Sequence, residues 1–288
     1  MDVFSLVNDE KTINLTEDNY HKKTYRKYPY YQNEKHFAVC PECKNPILIV
    51  NLYNNQVDED GKKSYPLYAR HISYDVKGIA TYSEQSYLDC SLSNPSSITT
   101  GGKRSPGAKT SIDILDIIKN HYSTLYGFMC KTIGIRINDK LFKEMIANFT
   151  SEEGHLYRGV TRYNLPYTFL YMTDNTKIHN QFLINKNPIA IEIKKAIDKN
   201  CTEFEVDGTY IKPINKFEKG KYISLEIYFT NHIVNSSFND SMEIVIQENI
   251  NGEVEEIYKK KIKFNDKDLF INKIKRDKRL KNIVDLFI

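Results

Sequence analysis

CPECKNPILIV, residues 40–50, decides how the front of this chain is read. Cys40 and Cys43 stand two residues apart, so a tight turn aims both sulfurs at one point. The apolar run that follows, Pro46 to Val50, predicts a short strand leaving that turn. Downstream lie His71, at the end of Tyr68-Ala69-Arg70-His71, and Cys90. Cys40, Cys43, His71 and Cys90 together make a tetrahedral Cys3His donor set. Thiolate and neutral imidazole suit Zn2+, and four protein ligands leave no position for water, so the expected site is structural. His36, four residues before Cys40, is a rival ligand. The alternative is an ordinary turn at 40–43 with Cys90 as a buried apolar thiol.

The chain has 288 residues, with 41 Lys and Arg against 37 Asp and Glu, a net charge of +4. That length allows two modest domains or one large one with a core of its own. The near-balanced charge argues against a dedicated nucleic-acid binder, which shows a stronger bias or a concentrated basic stripe. The first residues, MDVFSLVNDEKTINL, have no basic start followed by an apolar run, so no signal peptide is expected. No apolar stretch approaches a membrane span, and no membrane contact is expected. Five cysteines, an odd number, with no secretion signal predict reduced thiols and a cytoplasmic location. Lys, Asn, Ile and Tyr are heavily used and Trp is absent, a usage common in chains from AT-rich bacterial genomes and their phages.

The pattern along the chain predicts an α+β fold: a zinc-stabilised N-terminal module, a helical middle, and an antiparallel β-rich C-terminal region with a terminal helix. Residues 1–39 are a Tyr/Lys-rich arm, 40–95 the zinc module, 96–110 a flexible linker, 111–200 mainly helical, and 201–288 β-rich. Within the module, residues 54–63 (NNQVDEDGKK) are an exposed loop. Thr110 or Ser111 would cap a long helix carrying Ile114, Leu115, Ile118, Tyr122, Leu125 and Met129, with His121 on it. Further helices are expected at 139–149, after Asn164 and after Asn187, where Pro166 and Pro188 suit a first turn. Ile223, Leu225, Ile227 and Phe229 then alternate with polar residues, and Asn251-Gly252 predicts a two-residue hairpin turn. The tail from 266 returns to helical spacing.

Three short stretches invite a functional reading. Gly102 to Thr110 (GKRSPGAKT) resembles a phosphate-binding P-loop, but Ala108 is inserted before Lys109 and no buried strand precedes it. Glu192 and Lys194 in Ile189 to Lys194 (IAIEIK), with Asp174 upstream, resemble the PD-(D/E)xK nucleases. On a strand the two would share one face, and the resemblance implies Mg2+ on Glu192 and Asp174 with Lys194 assisting the attacking water. Asn187-Pro188 favours a helix instead, which parts them. Residues 20–37 interleave Tyr20, Tyr25, Tyr28, Tyr30 and Tyr31 with Lys22, Lys23, Arg26, Lys27 and Lys35, a composition for base stacking or for a protein interface. His155, His179 and His232 are isolated, and Cys130 and Cys201 read as packing thiols. The run Cys40-Pro-Glu-Cys43, Tyr68-Ala-Arg-His71 and Cys90 resembles zinc-bearing front modules in small proteins of bacteria, phages and mobile elements.

The expected function is therefore non-catalytic. The chain is read as a cytoplasmic interaction protein with structural zinc and no catalytic residues. Its expected partner is a host protein complex, a defence complex in the sharpest form, with the chain a phage or mobile-element inhibitor. A nucleic-acid-binding zinc protein is the first alternative and a metal-dependent nuclease the second; homo-oligomerisation stays open.

Overall fold

A computed structural model of the chain describes residues 1–53, 67–88, 90, 92, 102–104, 107–215, 220–233 and 240–288. The expected loop at 54–63, and residues 96–101, 105 and 106 of the expected linker, lie outside the described residues. The fold is α+β, with antiparallel sheets and a long terminal helix.

The N-terminal part begins with a pair of short strands, β1 (Val3–Phe4) and β2 (Ile13–Asn14). Helix α1 (Glu17–Thr24) follows, its first turn capped by the Thr16 hydroxyl, which accepts from Asn19 N at 3.0 Å. Then β3 (Tyr31–Gln32), β4 (Lys35–Val39), β5 (Pro46–Val50) and β6 (Tyr68–His71) form an antiparallel sheet in sequence order. Helix α2 (Glu84–Leu88) leads to Cys90. Residues 1–39 are thus no arm. Met1, Phe4, Ile13, Leu15, Tyr20 and Ala38 share one core with Cys40, Ile47, Ile49 and Cys90. Tyr20 is fully buried, and its hydroxyl donates to the carbonyls of Tyr30 and Phe37 at 2.9 and 2.8 Å. The Tyr/Lys mixture hides this because α1 turns Tyr20 inward and Lys22 and Lys23 to solvent.

The remainder runs α3 (Lys109–Asn120), α4 (Tyr122–Ile133), β7 (Ile135–Arg136), α5 (Asp139–Ser151), α6 (Leu165–Tyr171), β8 (Thr176–Lys177), β9 (Phe182–Leu183), α7 (Pro188–Asn200), β10 (Phe204–Asp207), β11 (Tyr210–Pro213), β12 (Ile223–Ile233), β13 (Ser241–Ile250), β14 (Glu253–Lys263) and α8 (Lys267–Val284). One sheet has the order β10-β11-β9-β7 and another β14-β13-β12-β8. Each sheet takes strands from both sides of residue 200, and a single apolar cluster runs from Ile114 to Ile274. The helical middle and the β-rich end are therefore one packed body.

Local chemistry explains most of the boundaries. The long helix expected over 114–129 breaks at His121, whose φ of −128° ends α3 and starts α4. Neither Thr110 nor Ser111 caps α3: Ala108 holds that position, and both hydroxyl residues are buried within the first turn. Asn187 does cap α7, accepting from Ile189 N and Ala190 N at 2.9 and 3.2 Å, while its amide donates to Lys131 O at 2.8 Å. Gly134, at φ 71°, ends α4 so close to α7 that a Cβ there would lie 2.6 Å from Ala190 N. Asn251 and Gly252, at φ 53° and 95°, form the expected hairpin turn, pairing Ile250 with Glu253. In β12 the alternation is misleading, since Ser224 and Glu226 are buried as well; the Glu226 carboxylate accepts from Ser224 Oγ at 2.7 Å and from Gln247 Nε2 at 3.2 Å.

Front and body are joined by polar contacts. Lys267, 7 % exposed, reaches Asp2 at 3.0 Å and Asp240 at 3.3 Å. Asn272 and Thr12 exchange hydrogen bonds of 2.9 and 2.6 Å. Removing the Lys267 cation leaves two carboxylates uncompensated in a buried site, so Lys267→Ala is expected to cost about 3–5 kcal/mol. Urea unfolding monitored by circular dichroism checks this; a loss under about 1 kcal/mol would show that the pair does not join front to body.

Candidate metal centre and the sites around it

The four candidate ligands come from three places in the chain, and backbone geometry brings them together. Val39 and Pro46 are the last pair of the β4–β5 hairpin, so residues 40–45 form its loop. Cys40 N donates to Asn45 O at 2.8 Å and Lys44 N to Cys40 O at 3.1 Å, with Lys44 at φ 62° turning the chain. His71 is the last residue of β6, paired with Ile47 on β5. Cys90 is fixed through Asn45, whose side chain receives Ser83 N at 2.6 Å and donates to Ser83 O at 2.9 Å. Ser83 O in turn accepts from Tyr87 N, and Tyr87 O from Cys90 N, at 3.0 and 3.1 Å.

The result is a compact four-donor cluster. Cys40 Sγ lies 3.7 Å from Cys90 Sγ, and His71 Nε2 lies 3.2 Å from Cys43 Sγ and 3.8 Å from Cys90 Sγ. All four donor atoms fall within 4.8 Å of one another. A tetrahedral ion with bonds of about 2.3 Å to sulfur and about 2.1 Å to nitrogen needs donors roughly 3.5–3.8 Å apart. The residues therefore fit one metal ion. Cys40 and Cys90 are buried, Cys43 and His71 half-buried. Burial pushes the Cys40 thiol up, and its hydrogen bond to Cys40 pushes the Cys90 thiol up too, while bonds from Cys40 and Cys90 hold Cys43 down. A cation held by the four donors would stabilise the three thiolates together.

His36 is not part of this set. Its ring packs among Tyr20, Tyr31 and Tyr53, at centroid distances of 5.6, 4.8 and 5.2 Å. Sequence reasoning missed the outward half of the site. Glu42, inside the CPEC turn, reaches Arg162 of the body at 3.5 Å, and the same guanidinium meets Asp113 on α3 at 3.3 Å. Asn45 was likewise unmarked, since only the fold brings Ser83 to its side chain.

The other stretches take different roles. In the P-loop-like segment Arg104 donates to the carbonyls of Tyr157, Arg158 and Val160, each at 2.8 Å, and Lys103 pairs with Glu153 at 2.8 Å. Those cations are engaged with the body. Glu192 and Lys194 lie on α7, about 200° apart around the helix. Glu192 accepts from Lys260 at 2.6 Å and Tyr258 at 2.8 Å on β14; Lys194 donates to Val206 O on β10 at 2.8 Å. Asp174 instead accepts from Asn148 at 3.4 Å. The strand that a nuclease site requires is absent here, and the helical alternative holds. His232 packs on Phe264 and His179 on Phe204, while burial pushes the Cys130 and Cys201 thiols up. Among the described residues, the Cys40, Cys43, His71 and Cys90 group is the one set of Cys, His, Asp and Glu side chains close enough to share an ion.

Compared with family models, curated proteins and solved structures, the chain matches none.

Purified protein is expected to carry about one divalent metal per chain by elemental analysis, and Cys43→Ser to lose it together with the ordered N-terminal sheet. A metal-free protein with intact near-ultraviolet circular dichroism would refute the assignment. Incubated with Mg2+ and DNA or RNA, the protein is expected to cut neither; cleavage abolished by Glu192→Ala or Lys194→Ala would restore the nuclease reading.

Proposed function

We propose that this chain is a non-catalytic binding protein whose zinc-closed front module presents a tyrosine-rich, basic face to a protein partner. The donor chemistry favours zinc: three thiolates and an imidazole are soft and borderline ligands, and the set is closed by protein alone. Such a centre supplies rigidity, not an open coordination position for substrate.

The observation that carries the reading is the exposure of aromatic side chains on that module. Tyr25, Tyr28, Tyr31 and Tyr53 are 74, 61, 42 and 43 % exposed. Lys23, Arg26, Lys27 and Lys35 are exposed among them. Tyr25 and Arg26 both stand in the left-handed region, at φ 52° and 54°, where the backbone turns out of α1. Non-glycine residues held there cost energy that the surrounding structure must offset, a pattern associated with functional sites. Arg26 donates to His21 at 2.8 Å and lies 5.1 Å over the Tyr53 ring, so the face is preorganised. Rigid Tyr and Arg side chains contribute large buried area at low entropic cost, as interface anchors do.

The net charge of +4 favours a protein over nucleic acid as that partner. In its sharpest form the proposal is a phage or mobile-element protein acting in the bacterial cytoplasm on a host defence complex, a step that rests on composition. A second reading, single-stranded nucleic acid tracked by the same tyrosines and lysines, follows from the same face.

Replacing Tyr25, Tyr28 and Tyr31 by Ala is expected to reduce capture of a host-cell protein at least tenfold while leaving metal content unchanged. Wild-type capture is expected to weaken only modestly between 50 and 200 mM salt. Tight binding to an oligonucleotide that falls about tenfold or more over that range would mean several phosphates are being neutralised, and would move the assignment to nucleic acid.

A further inference from the structure

Helix α8 has two faces of opposite use. Phe270, Ile271 and Ile274 are buried against the body. Thr124 donates to Asp277 at 3.1 Å and Lys278 meets Asp116 at 2.5 Å, the last polar anchors along the helix. Beyond them every residue from 279 to 288 is exposed. This distal stretch is nonetheless strongly apolar. Leu280, Ile283 and Val284 are 45, 48 and 51 % exposed, and Leu286, Phe287 and Ile288 are 79, 85 and 102 % exposed. Hydrogen bonds from Leu286 N to Ile283 O and Phe287 N to Val284 O, at 3.2 and 2.9 Å, keep it wound past the end of α8. No helix among the described residues is long and apolar enough to cross a membrane.

At about 100° per residue, Leu280, Ile283, Val284 and Phe287 fall on one stripe, turned well away from the face that packs on the body. Leu286 and Ile288 widen that stripe on both sides to an arc of about 200°, and Lys281, Asn282 and Asp285 occupy the remaining side of the helix. Just before it stands a basic collar. Lys273, Arg276 and Arg279 form it, all exposed, with exposed Lys281 just inside the stretch, and Lys273 and Arg276 continue the line of the apolar stripe.

We infer that the distal end of α8 seats in the headgroup–acyl boundary of an anionic lipid surface, with the basic collar at the level of the lipid phosphates. This revises the expectation of no membrane contact, and it is independent of the tyrosine face. Three features select lipid over other occupants. A helix packed on protein buries a stripe of about 100°, whereas this apolar arc of about 200° with a polar side opposite is the pattern of a helix lying at a lipid–water boundary. A second copy would set one basic collar against another. Lys and Arg stems are long enough to keep their charges among headgroups while the apolar side chains enter the acyl region. From Leu280 to Ile288 the helix extends about 12 Å, enough to reach into one leaflet.

The test is co-sedimentation of the full chain with large unilamellar vesicles, either phosphatidylcholine alone or phosphatidylcholine with one-third phosphatidylglycerol. Binding to the anionic vesicles is expected at 100 mM salt, at least tenfold stronger than to the neutral ones, and weakening as salt rises. Ile283→Asp with Phe287→Asp is expected to lower it at least tenfold. Both side chains are exposed, so circular dichroism and metal content should not change. Arg276→Glu with Arg279→Glu is expected to remove the preference for anionic lipid. Failure of the wild-type chain to sediment with anionic vesicles would overturn the inference, as would undiminished binding by the Asp double variant. A dimer in analytical ultracentrifugation that the Asp variant dissolves, without vesicle binding, would overturn it in favour of a second copy. Capture of a protein through this stripe, again without vesicle binding, would overturn it in favour of a groove.

Discussion

The front of this molecule depends on four donor atoms meeting at one point. Cys40 and Cys43 come from a hairpin loop, His71 from the end of a neighbouring strand, and Cys90 from beyond a short helix. Two of the three sulfurs are buried, and buried thiols resist ionising near one another. A cation at their centre would remove that conflict and fix the meeting point of the module. Everything around it is arranged to hold the donors: the Lys44 turn, the reciprocal Asn45–Ser83 bonds, and the pairing of His71 with Ile47.

The same turn also faces outward. Glu42 sits between Cys40 and Cys43 yet points to Arg162, which bridges to Asp113 on the first helix of the body. With Lys267 between Asp2 and Asp240, and Asn272 against Thr12, this makes three polar ties between front and body. Buried ion pairs add little net stability compared with apolar packing, but breaking one strands a charge. Their effect here is to fix one arrangement of the parts. Glu248 does similar work inside the body, accepting from the backbone of Thr202 and Glu203 at 3.0 and 2.8 Å where α7 turns into β10.

The residues that invited a catalytic reading share one feature in the fold: each makes bonds that hold neighbouring elements together. Glu192 pins α7 to β14, Lys194 holds the end of β10, and Arg104 closes three carbonyls of a neighbouring turn. What remains available is surface, namely the tyrosines of the front module and the distal stretch of α8.

Local rules made part of this legible from the sequence alone. The Cys-x2-Cys turn, the Asn187-Pro188 helix start and the Asn251-Gly252 hairpin each depend on a few adjacent residues, and each stands as read. His71 and Cys90 were legible as donor types; only the pairing of β6 with β5 and the Asn45 bridge bring them to the cysteines. What the sequence obscured was always a matter of what lies opposite. Tyr20 and Tyr25 look alike in a row of tyrosines and lysines, yet one is sealed in the core and the other is three-quarters exposed. Ser224 and Glu226 alternate like solvent-facing residues, but both are buried. His121 breaks a periodic helix without a Gly or Pro to announce it. Hydrophobic period and turn chemistry act over a few residues and can be read in order along the chain. Burial depends on which distant segment closes over a face, and that is settled only when the tertiary structure forms.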